Sequence, residues 1–354
     1  MTSKQLPHFY IPDCLVHWPW PRRLNKHYLE VKPASTAWMQ SFHALSAQAQ
    51  YAFDRCEFSL LAALAYPDHD TAHLRTTCDL MNNFFYLDEV SDVAPLEEVK
   101  AMADITMDAL RNPWQPRPVG EWIGGEIIRQ FWELAVKTAS SESQKHFIDA
   151  YTPYTQAVVQ QAQDRQDGHI RTVNEYFAIR RKTIGVKPCF VMLELALNLP
   201  QEVLEHPVIK EMEMAVIDMI SMTNDIMSYN KEQARGDDNH NIITCLMHHL
   251  RTDIQGAMDW VEEHYRGVGA RFLDLYYHSI PKYHSANIDA DVAKYVDGLG
   301  NWVRATDQWS FECGRYFGKD GLEILNKRWV TLLPKRTKDI NVAPRAIADP
   351  IHLV

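Results

Sequence analysis

Apolar residues recur at intervals of three and four positions along most of the chain, which is the spacing of one face of an α-helix. Alternation of apolar and polar residues between Asn-Gly or Asp-Gly turns, the usual sign of a β-hairpin, is hard to find. The pattern therefore predicts an all-α fold. The clearest helical windows are residues 54–65, 76–92, 121–138, 146–164, 172–182, 206–232, 254–266 and 288–317.

Proline and glycine mark the breaks between these windows, but none of the breaks opens a long flexible linker. No repeat of fixed period is present, which disfavours a helical solenoid. We therefore expect one helical domain over residues 1–354. Its ends are rich in proline and are expected to form irregular arms, over about residues 1–30 and about residues 334–354.

An acidic motif follows an apolar stretch in the window 76–92. Helical spacing places Leu80, Phe84, Asp88 and Asp92 in one row, so apolar and acidic residues share a face. A surface helix would carry its carboxylates opposite its apolar stripe, and the shared face therefore indicates a cavity with an apolar floor and an acidic rim. Carboxylates one turn apart, without histidine or cysteine, suit Mg²⁺. A solvated helix end is the alternative for this motif alone.

In the window 206–232, apolar residues are again followed by oxygen-bearing residues on the same helix face. Along one row, apolar residues give way to Asn224, Ser228 and Glu232. An amide, a hydroxyl and a carboxylate at this spacing can converge on one magnesium ion that phosphate also binds. A helix that leaves the core for solvent is again the alternative, but the same change on two helices argues against coincidence.

Positive charge occurs in two further segments. Arg180 and Arg181 lie in an otherwise apolar helix, and Arg315 precedes Tyr316 at the end of an aromatic row that contains Trp309. Arginine offers phosphate oxygens a fork of donors, and tyrosine can add a hydroxyl. A basic surface and an aromatic core stripe are the alternatives for these two segments.

The overall charge limits the classes of partner. Lysine and arginine total 36 against 46 aspartates and glutamates, a net charge of -10, which argues against a nucleic-acid binder. The six cysteines form no CxxC pair and fit neither a zinc site nor a disulfide framework. The apolar runs fall short of the roughly 18 residues of a membrane span, and the first residues do not form a signal peptide. We therefore expect a cytoplasmic protein without a stable membrane span.

Together these motifs resemble those of the class I terpene synthases. The acidic helix is similar to the family's aspartate-rich metal motif in its DExxD form, and residues 224–232 fit the family's NDxxSxxKE metal motif without a mismatch. The Arg-Tyr pair follows in the family's order, and the resemblance covers about residues 88–316. Residues 224–241 and 300–318 also resemble the basidiomycete sesquiterpene synthases that include protoilludene synthases. Glu89 departs from the pattern, since many relatives carry a second aspartate there, so its contact with metal is left open.

The resemblance implies a helical bundle around a central active-site cavity and the chemistry of a sesquiterpene cyclase. Such an enzyme ionises farnesyl diphosphate with three Mg²⁺ ions, for which Mn²⁺ could substitute, and cyclises the carbocation, for example by closure between C1 and C11. The metal ligands that it implies are Asp88, Asn224, Ser228 and Glu232, with Asp92 as a more distant or transient partner. The residues that it implies for diphosphate are Arg180 or Arg181, Lys231, Arg315 and Tyr316. The residues expected to contact the substrate are Phe84, Phe85, Ile184, Trp309, Arg315 and Tyr316.

Two other functions are possible on the same pattern. A prenyl-chain elongating enzyme should carry two DDxxD helices, whereas the second motif here is the Asn/Ser/Glu triad. A non-catalytic helical interaction protein gives no reason for two apolar helix faces to end in oxygen ligands. We also expect the N-terminal Trp-Pro segment and the loops after Glu232 and Tyr316 to become ordered on binding and exclude water. The oligomeric state is a monomer or a homodimer.

Overall fold

The computed structural model describes residues 7–195, 197 and 199–335, and most of these residues are helical, which confirms the predicted all-α class. Two three-residue strands are also present. The elements in chain order are β1 (His8–Tyr10), α1 (Tyr28–Ser41), α2 (Ala47–Asp54), α3 (Phe58–Ala65), α4 (Thr71–Ser91), α5 (Leu96–Arg111), α6 (Gly124–Ala135), α7 (Ser141–Asp167), α8 (Val173–Thr183), α9 (Val186–Glu194), α10 (Gln201–Leu204), α11 (Pro207–Arg235), α12 (Ile242–Leu250), α13 (Ile254–His278), α14 (Ala286–Glu312), α15 (Gly321–Lys327) and β2 (Trp329–Thr331).

Eight of the helices form a closed ring. Going round it, α4 packs on α3, α3 on α14, α14 on α11, α11 on α8, α8 on α7, α7 on α5, α5 on α6 and α6 again on α4. The short helix α9 contacts α4, α7, α11 and α14, so it lies inside the ring. The arrangement leaves room for a cavity between helices whose inner faces are apolar. Among the described residues, no helix is long and apolar enough to cross a membrane.

Helices α8 and α9 are separated by a sharp break. The Thr172 hydroxyl accepts a hydrogen bond from the Glu175 amide, and the Glu175 carboxylate accepts one from the Thr172 amide, so a capping box fixes the start of α8. Gly185 ends the helical path with a φ of 69°, a left-handed conformation that costs other residues more than glycine. A Cβ at Gly185 would lie 3.2 Å from the ring of Phe84 and 3.3 Å from that of Tyr154. The break therefore brings backbone close to the aromatic wall of the interior.

The two ends of the described chain meet in a small antiparallel ribbon. Phe9 of β1 pairs with Val330 of β2. The segment of residues 7–27, here called the N-terminal arm, is largely irregular, but parts of it are tightly packed. Trp18 and Trp20 are buried in it, and the Arg304 guanidinium donates a hydrogen bond to the Trp20 carbonyl at 2.8 Å.

Trp18 and Trp20 of the Trp-Pro segment are packed against α13 and α14, and its ordering on binding stays a prediction. Of the predicted C-terminal arm, residues 334 and 335 are irregular, and the rest lies outside the described residues.

Candidate active site

A cavity of about 540 Å³ lies within the helical ring. Its apolar lining comes from α3, α4, α9, α11 and α14, and includes Leu61, Met81, Ile220 and Trp302. Its charged lining comes from α4, α7, α8, α11 and the residues after α14. At this charged end, the cavity opens to the surface near Asp237. The cavity thus has an apolar interior and a charged end, which is the arrangement that the two helix rows indicated.

Every residue that the sequence predicted for the site lines this cavity, except Arg181. The residues concerned are Phe84, Phe85, Asp88, Asp92, Arg180, Ile184, Asn224, Ser228, Lys231, Glu232, Trp309, Arg315 and Tyr316. Asp92 lies at the exposed rim. The Arg181 guanidinium instead donates hydrogen bonds to the two carboxylate oxygens of Asp218, at 2.7 and 2.8 Å, outside the cavity. Of the two arginines that the sequence analysis proposed for diphosphate, Arg180 therefore lies at the cavity and Arg181 does not.

The first wall is built on α4. Nη2 of Arg315 donates to Oδ2 of Asp88 at 3.1 Å, and Nη1 donates to Oε1 of Glu89 at 2.6 Å. The same guanidinium lies 4.9 Å from the centre of the Phe85 ring, a cation–π distance. Asp88 keeps 44% of its side chain accessible, but that surface faces the cavity. Burial and the neighbouring Glu89 raise the pKa of Asp88, against the opposing effect of Arg315.

The opposite wall is built on α11. Oδ1 of Asn224 accepts a hydrogen bond from Nη2 of Arg180 at 2.6 Å, and Nδ2 of Asn224 donates to the Tyr316 hydroxyl at 2.9 Å. Arg315 thus contacts the first wall and Tyr316 contacts the second. The side chains of Asp88 and Asn224 are therefore brought to the same cavity by two adjacent residues.

Asp225 anchors this wall from behind. It is fully buried, and its Oδ2 accepts hydrogen bonds from the Tyr176 hydroxyl and the Ile242 amide, both at 2.7 Å. Its Oδ1 accepts from Nη2 of Arg180, also at 2.7 Å. The sequence analysis placed Asp225 in the metal motif but gave it no role. The structure shows that it fixes the orientation of Arg180.

Two adjacent charged residues complete the α11 wall. Oε2 of Glu232 accepts a hydrogen bond from Nδ2 of Asn241 at 2.8 Å. Burial, with a contribution from Asp225, raises the pKa of Glu232 to about 7. Nζ of Lys231 donates to the Arg315 carbonyl at 2.5 Å, and burial lowers the pKa of this ammonium to about 8.

The oxygen donors at the charged end can be compared with what a metal ion needs. Within the described residues, no three or more histidine, cysteine, aspartate or glutamate side chains are gathered so that they alone could hold a metal ion. Carboxylate, amide and hydroxyl oxygens of Asp88, Asn224, Ser228 and Glu232 nevertheless face one cavity. Burial is the main cause of the raised pKa values of Asp88 and Glu232, so a cation bound beside them would favour their charged forms. This donor set fits a hard cation that takes its other ligands from water and phosphate.

The sequence analysis missed much of the cavity lining, including Arg165, His240 and Tyr154. Nη2 of Arg165 donates to the carbonyls of Ser91 and Ala94, each at 2.9 Å, and so holds the end of the acidic helix. His240 lies against Thr183, and burial lowers the pKa of its imidazole to about 3. The Tyr154 ring meets the Phe84 ring edge-on at 5.0 Å. Of these three residues, only Tyr154, within the helical window 146–164, had a periodic signal.

Comparison with known proteins identifies the family. The model of terpene synthase family 2, C-terminal metal binding, matches residues 79–268. A Delta(6)-protoilludene synthase from Armillaria gallica is 56% identical over 97% of this chain and 99% of its own length. The chain belongs to the terpene synthase family. A Delta(6)-protoilludene synthase from Stereum hirsutum is 52% identical over 97% of this terpene synthase and 92% of the relative, and sesquiterpene synthase 14 from Postia placenta is 47% identical over 95% of each chain.

Solved structures agree on the fold. Germacradien-4-ol synthase from Streptomyces citricolor has a TM-score of 0.72 at 19% identity and covers 82% of this terpene synthase and 96% of its own chain. Linalool/nerolidol synthase from Streptomyces clavuligerus has a TM-score of 0.73 at 18% identity and covers 83% and 99% of the two chains. The predicted class I terpene synthase fold is thus confirmed. Family membership implies an enzyme that depends on a divalent metal and acts on a prenyl diphosphate.

Proposed function

We propose that this terpene synthase is a sesquiterpene cyclase that ionises farnesyl diphosphate and forms Delta(6)-protoilludene or another product closed between C1 and C11. The observation that carries the proposal is the meeting of two walls at one cavity, where Arg315 contacts Asp88 and Tyr316 contacts Asn224. The choice of product is supported by the names of the relatives from Armillaria and Stereum, which align with nearly the whole chain.

Asp88 on one wall, and Asn224, Ser228 and Glu232 on the other, would hold the metal, with Asp92 nearby at the rim. Bound Mg²⁺, three ions by family resemblance and with Mn²⁺ as a substitute, would neutralise the charge that develops on the diphosphate as its bond to carbon breaks. The chain itself supplies donors for the same oxygens from Arg180, Lys231, Arg315 and Tyr316. Arg315 pairs with the carboxylates of Asp88 and Glu89, so it can release Asp88 to a cation and turn its donors to the diphosphate.

The apolar part of the cavity would hold the hydrocarbon chain of the substrate and stabilise the carbocation. When the carbon–oxygen bond breaks, the electron pair leaves with the diphosphate and an allylic cation is left behind. The rings of Phe84, Phe85 and Trp309 line the cavity and offer π faces without an oxygen nucleophile. Each such face stabilises a cation by about 0.5 to 2 kcal/mol when water is excluded. Cyclisation ends with loss of a proton, which gives a hydrocarbon.

The proposal is tested by incubating the purified protein with farnesyl diphosphate and Mg²⁺ and analysing the extract by gas chromatography with mass spectrometry. We expect sesquiterpene hydrocarbons with Delta(6)-protoilludene as the main product. Longer prenyl diphosphates would instead indicate the elongating enzyme, and unchanged substrate would indicate the non-catalytic interaction protein. Either of these results would refute cyclisation.

Matched variants connect the activity to the site. Asp88→Ala and Asn224→Ala should each abolish diphosphate release while circular dichroism shows an intact fold, because each removes one wall's ligand. Asp104→Ala, at an exposed carboxylate on α5, should release diphosphate at the rate of the unmodified enzyme. Unchanged turnover in either cavity variant would contradict the metal assignment. The monomeric or homodimeric state and the cytoplasmic location stay predictions.

A further inference from the structure

Strand β2 has two edges, and they have different partners. On one edge, the Leu332 amide donates to the Pro7 carbonyl at 2.8 Å, and the Ile11 amide donates to the Arg328 carbonyl at 2.8 Å, which extends the pairing with β1. In an antiparallel ribbon, alternate residues direct their backbone groups to opposite edges. The backbone groups of Thr331 and Leu333 therefore face away from β1, toward α11.

Side-chain amides of α11 occupy this second edge. Nδ2 of Asn230 donates to the Thr331 carbonyl at 3.0 Å, and Oδ1 of Asn230 accepts from the Leu333 amide at 2.8 Å. Nε2 of Gln233 donates to the Leu333 carbonyl at 2.8 Å. Because a carboxamide carries a donor and an acceptor as a peptide group does, Asn230 takes the place of a third strand. Both amide side chains are buried.

The position of Asn230 connects this edge with the charged end of the cavity. It lies on α11 between Ser228 and Glu232, which face the cavity. Its neighbour Lys231 donates to the Arg315 carbonyl. Two consecutive residues of α11 therefore hold the start and the end of residues 315–333, the segment that begins with Arg315 and Tyr316.

We propose that Asn230 is a positioning residue for diphosphate binding. By docking β2 on α11, its amide keeps the segment of residues 315–333 in place and holds Arg315 and Tyr316 at the charged end of the cavity. Asn230 touches neither the cavity nor its contents and acts through these two residues. The inference rests on the proposed function, because a diphosphate ligand is what gives the donors of Arg315 and Tyr316 their role.

The test compares Asn230→Leu, which removes both hydrogen-bonding groups at similar size, with the matched control Asn326→Leu. Asn326 is exposed on α15 and bonds to the Leu322 carbonyl within that helix. In Asn230→Leu we expect faster hydrogen exchange in residues 329–333 and in residues 313–317 of the ligand-free protein. We also expect about tenfold weaker binding of inorganic pyrophosphate with Mg²⁺ by calorimetry, and a similar rise in KM for farnesyl diphosphate. Asn326→Leu should match the unmodified protein in all three measurements.

A conservative variant and a weaker one separate positioning from a general loss of stability. Asn230→Gln keeps the amide and should recover part of the pyrophosphate affinity. If Asn230→Leu does not fold, Gln233→Leu is used in its place. It removes one bond to the Leu333 carbonyl and the bonds to the carbonyl and Oδ1 of Asn230, and it should shift exchange and affinity in the same direction by a smaller factor.

The proposal is overturned if Asn230→Leu, or Gln233→Leu in its place, exchanges faster only in residues 329–333 and binds pyrophosphate like Asn326→Leu. The Asn230 amide would then only provide hydrogen bonds to the backbone of β2, without an effect on Arg315 and Tyr316. Failure of the proposed function would appear differently, as absence of turnover in the unmodified protein. The exchange of residues 313–317 would still show in that case whether Asn230 holds Arg315 and Tyr316.

Discussion

Two adjacent arginines on α8 have different surroundings and should differ in function. Arg180 contacts Asn224 and Asp225 at the cavity, whereas Arg181 pairs with Asp218 and keeps 39% of its side chain exposed. We predict that Arg180→Gln lowers kcat/KM for farnesyl diphosphate about 100-fold or more, because it removes a charged donor from the site of developing charge. Arg181→Gln should stay within about threefold of the unmodified enzyme. Steady-state assays of pyrophosphate release measure both, and equal losses would contradict the assignment.

The choice between these arginines shows what sequence could predict at the scale of a residue. Motif spacing identified the donors, since rows at intervals of four connect apolar and polar residues of one helix. On α8, Tyr176, Arg180 and Ile184 form one such row, and Phe177 and Arg181 belong to the adjacent row. Tyr176 and Phe177 are both buried, so burial of the aromatic residue does not distinguish the two rows. The row that faces the cavity is decided by Asp225, which contacts Tyr176 across a long sequence separation. The spacing of residues along one helix does not predict a contact between two helices.

The break between α8 and α9 gives a prediction at the scale of an element. Gly185→Ala and the control Gly168→Ala both place alanine at a left-handed position, with φ values of 69° and 64°. Each should lower the free energy of unfolding by about 1 kcal/mol in urea titrations. Only the new methyl at Gly185 meets the rings of Phe84 and Tyr154, since a Cβ at Gly168 has nothing within 4 Å. Gas chromatography should therefore show an altered product ratio in Gly185→Ala alone, and an unchanged ratio there would contradict the role of the break.

Several long helices were predicted from their periodicity, whereas elements set by distant contacts were not. The window 206–232 corresponds closely to α11. The window 54–65 contains only the last residue of α2 and all of α3, and the two helices are separated at Glu57, which has a φ of 53°. Helix α5 has apolar residues at helical spacing and was nevertheless absent from the quoted windows. Strands β1 and β2 are each three residues long and pair across almost the whole chain, so no local pattern indicates them.

At the scale of the whole molecule, the N-terminal arm joins helices that would otherwise be held only by their own packing. Nε1 of Trp18 donates to the Gly300 carbonyl at 2.9 Å, and Nε1 of Trp20 donates to Asp297 at 2.8 Å, both on α14. The Trp20 ring also lies 4.9 Å from that of Tyr276 on α13. A Cβ at Gly300 would come within 2.3 Å of the Trp20 ring, so the fit is close. Neither tryptophan lines the cavity.

The arm should therefore contribute to stability rather than to closure over substrate. Trp20→Ala should lower the free energy of unfolding by about 3 to 5 kcal/mol, because it leaves a large hole between α13 and α14. The control Trp114→Ala, at a side chain that is 66% exposed, should change it by less than about 0.5 kcal/mol. Urea titrations measure both, and the folded fraction of Trp20→Ala should give the product ratio of the unmodified enzyme. An arm that instead closes over the substrate would give the opposite pair of results: stability close to that of Trp114→Ala, together with more alcohol products from water that reaches the carbocation.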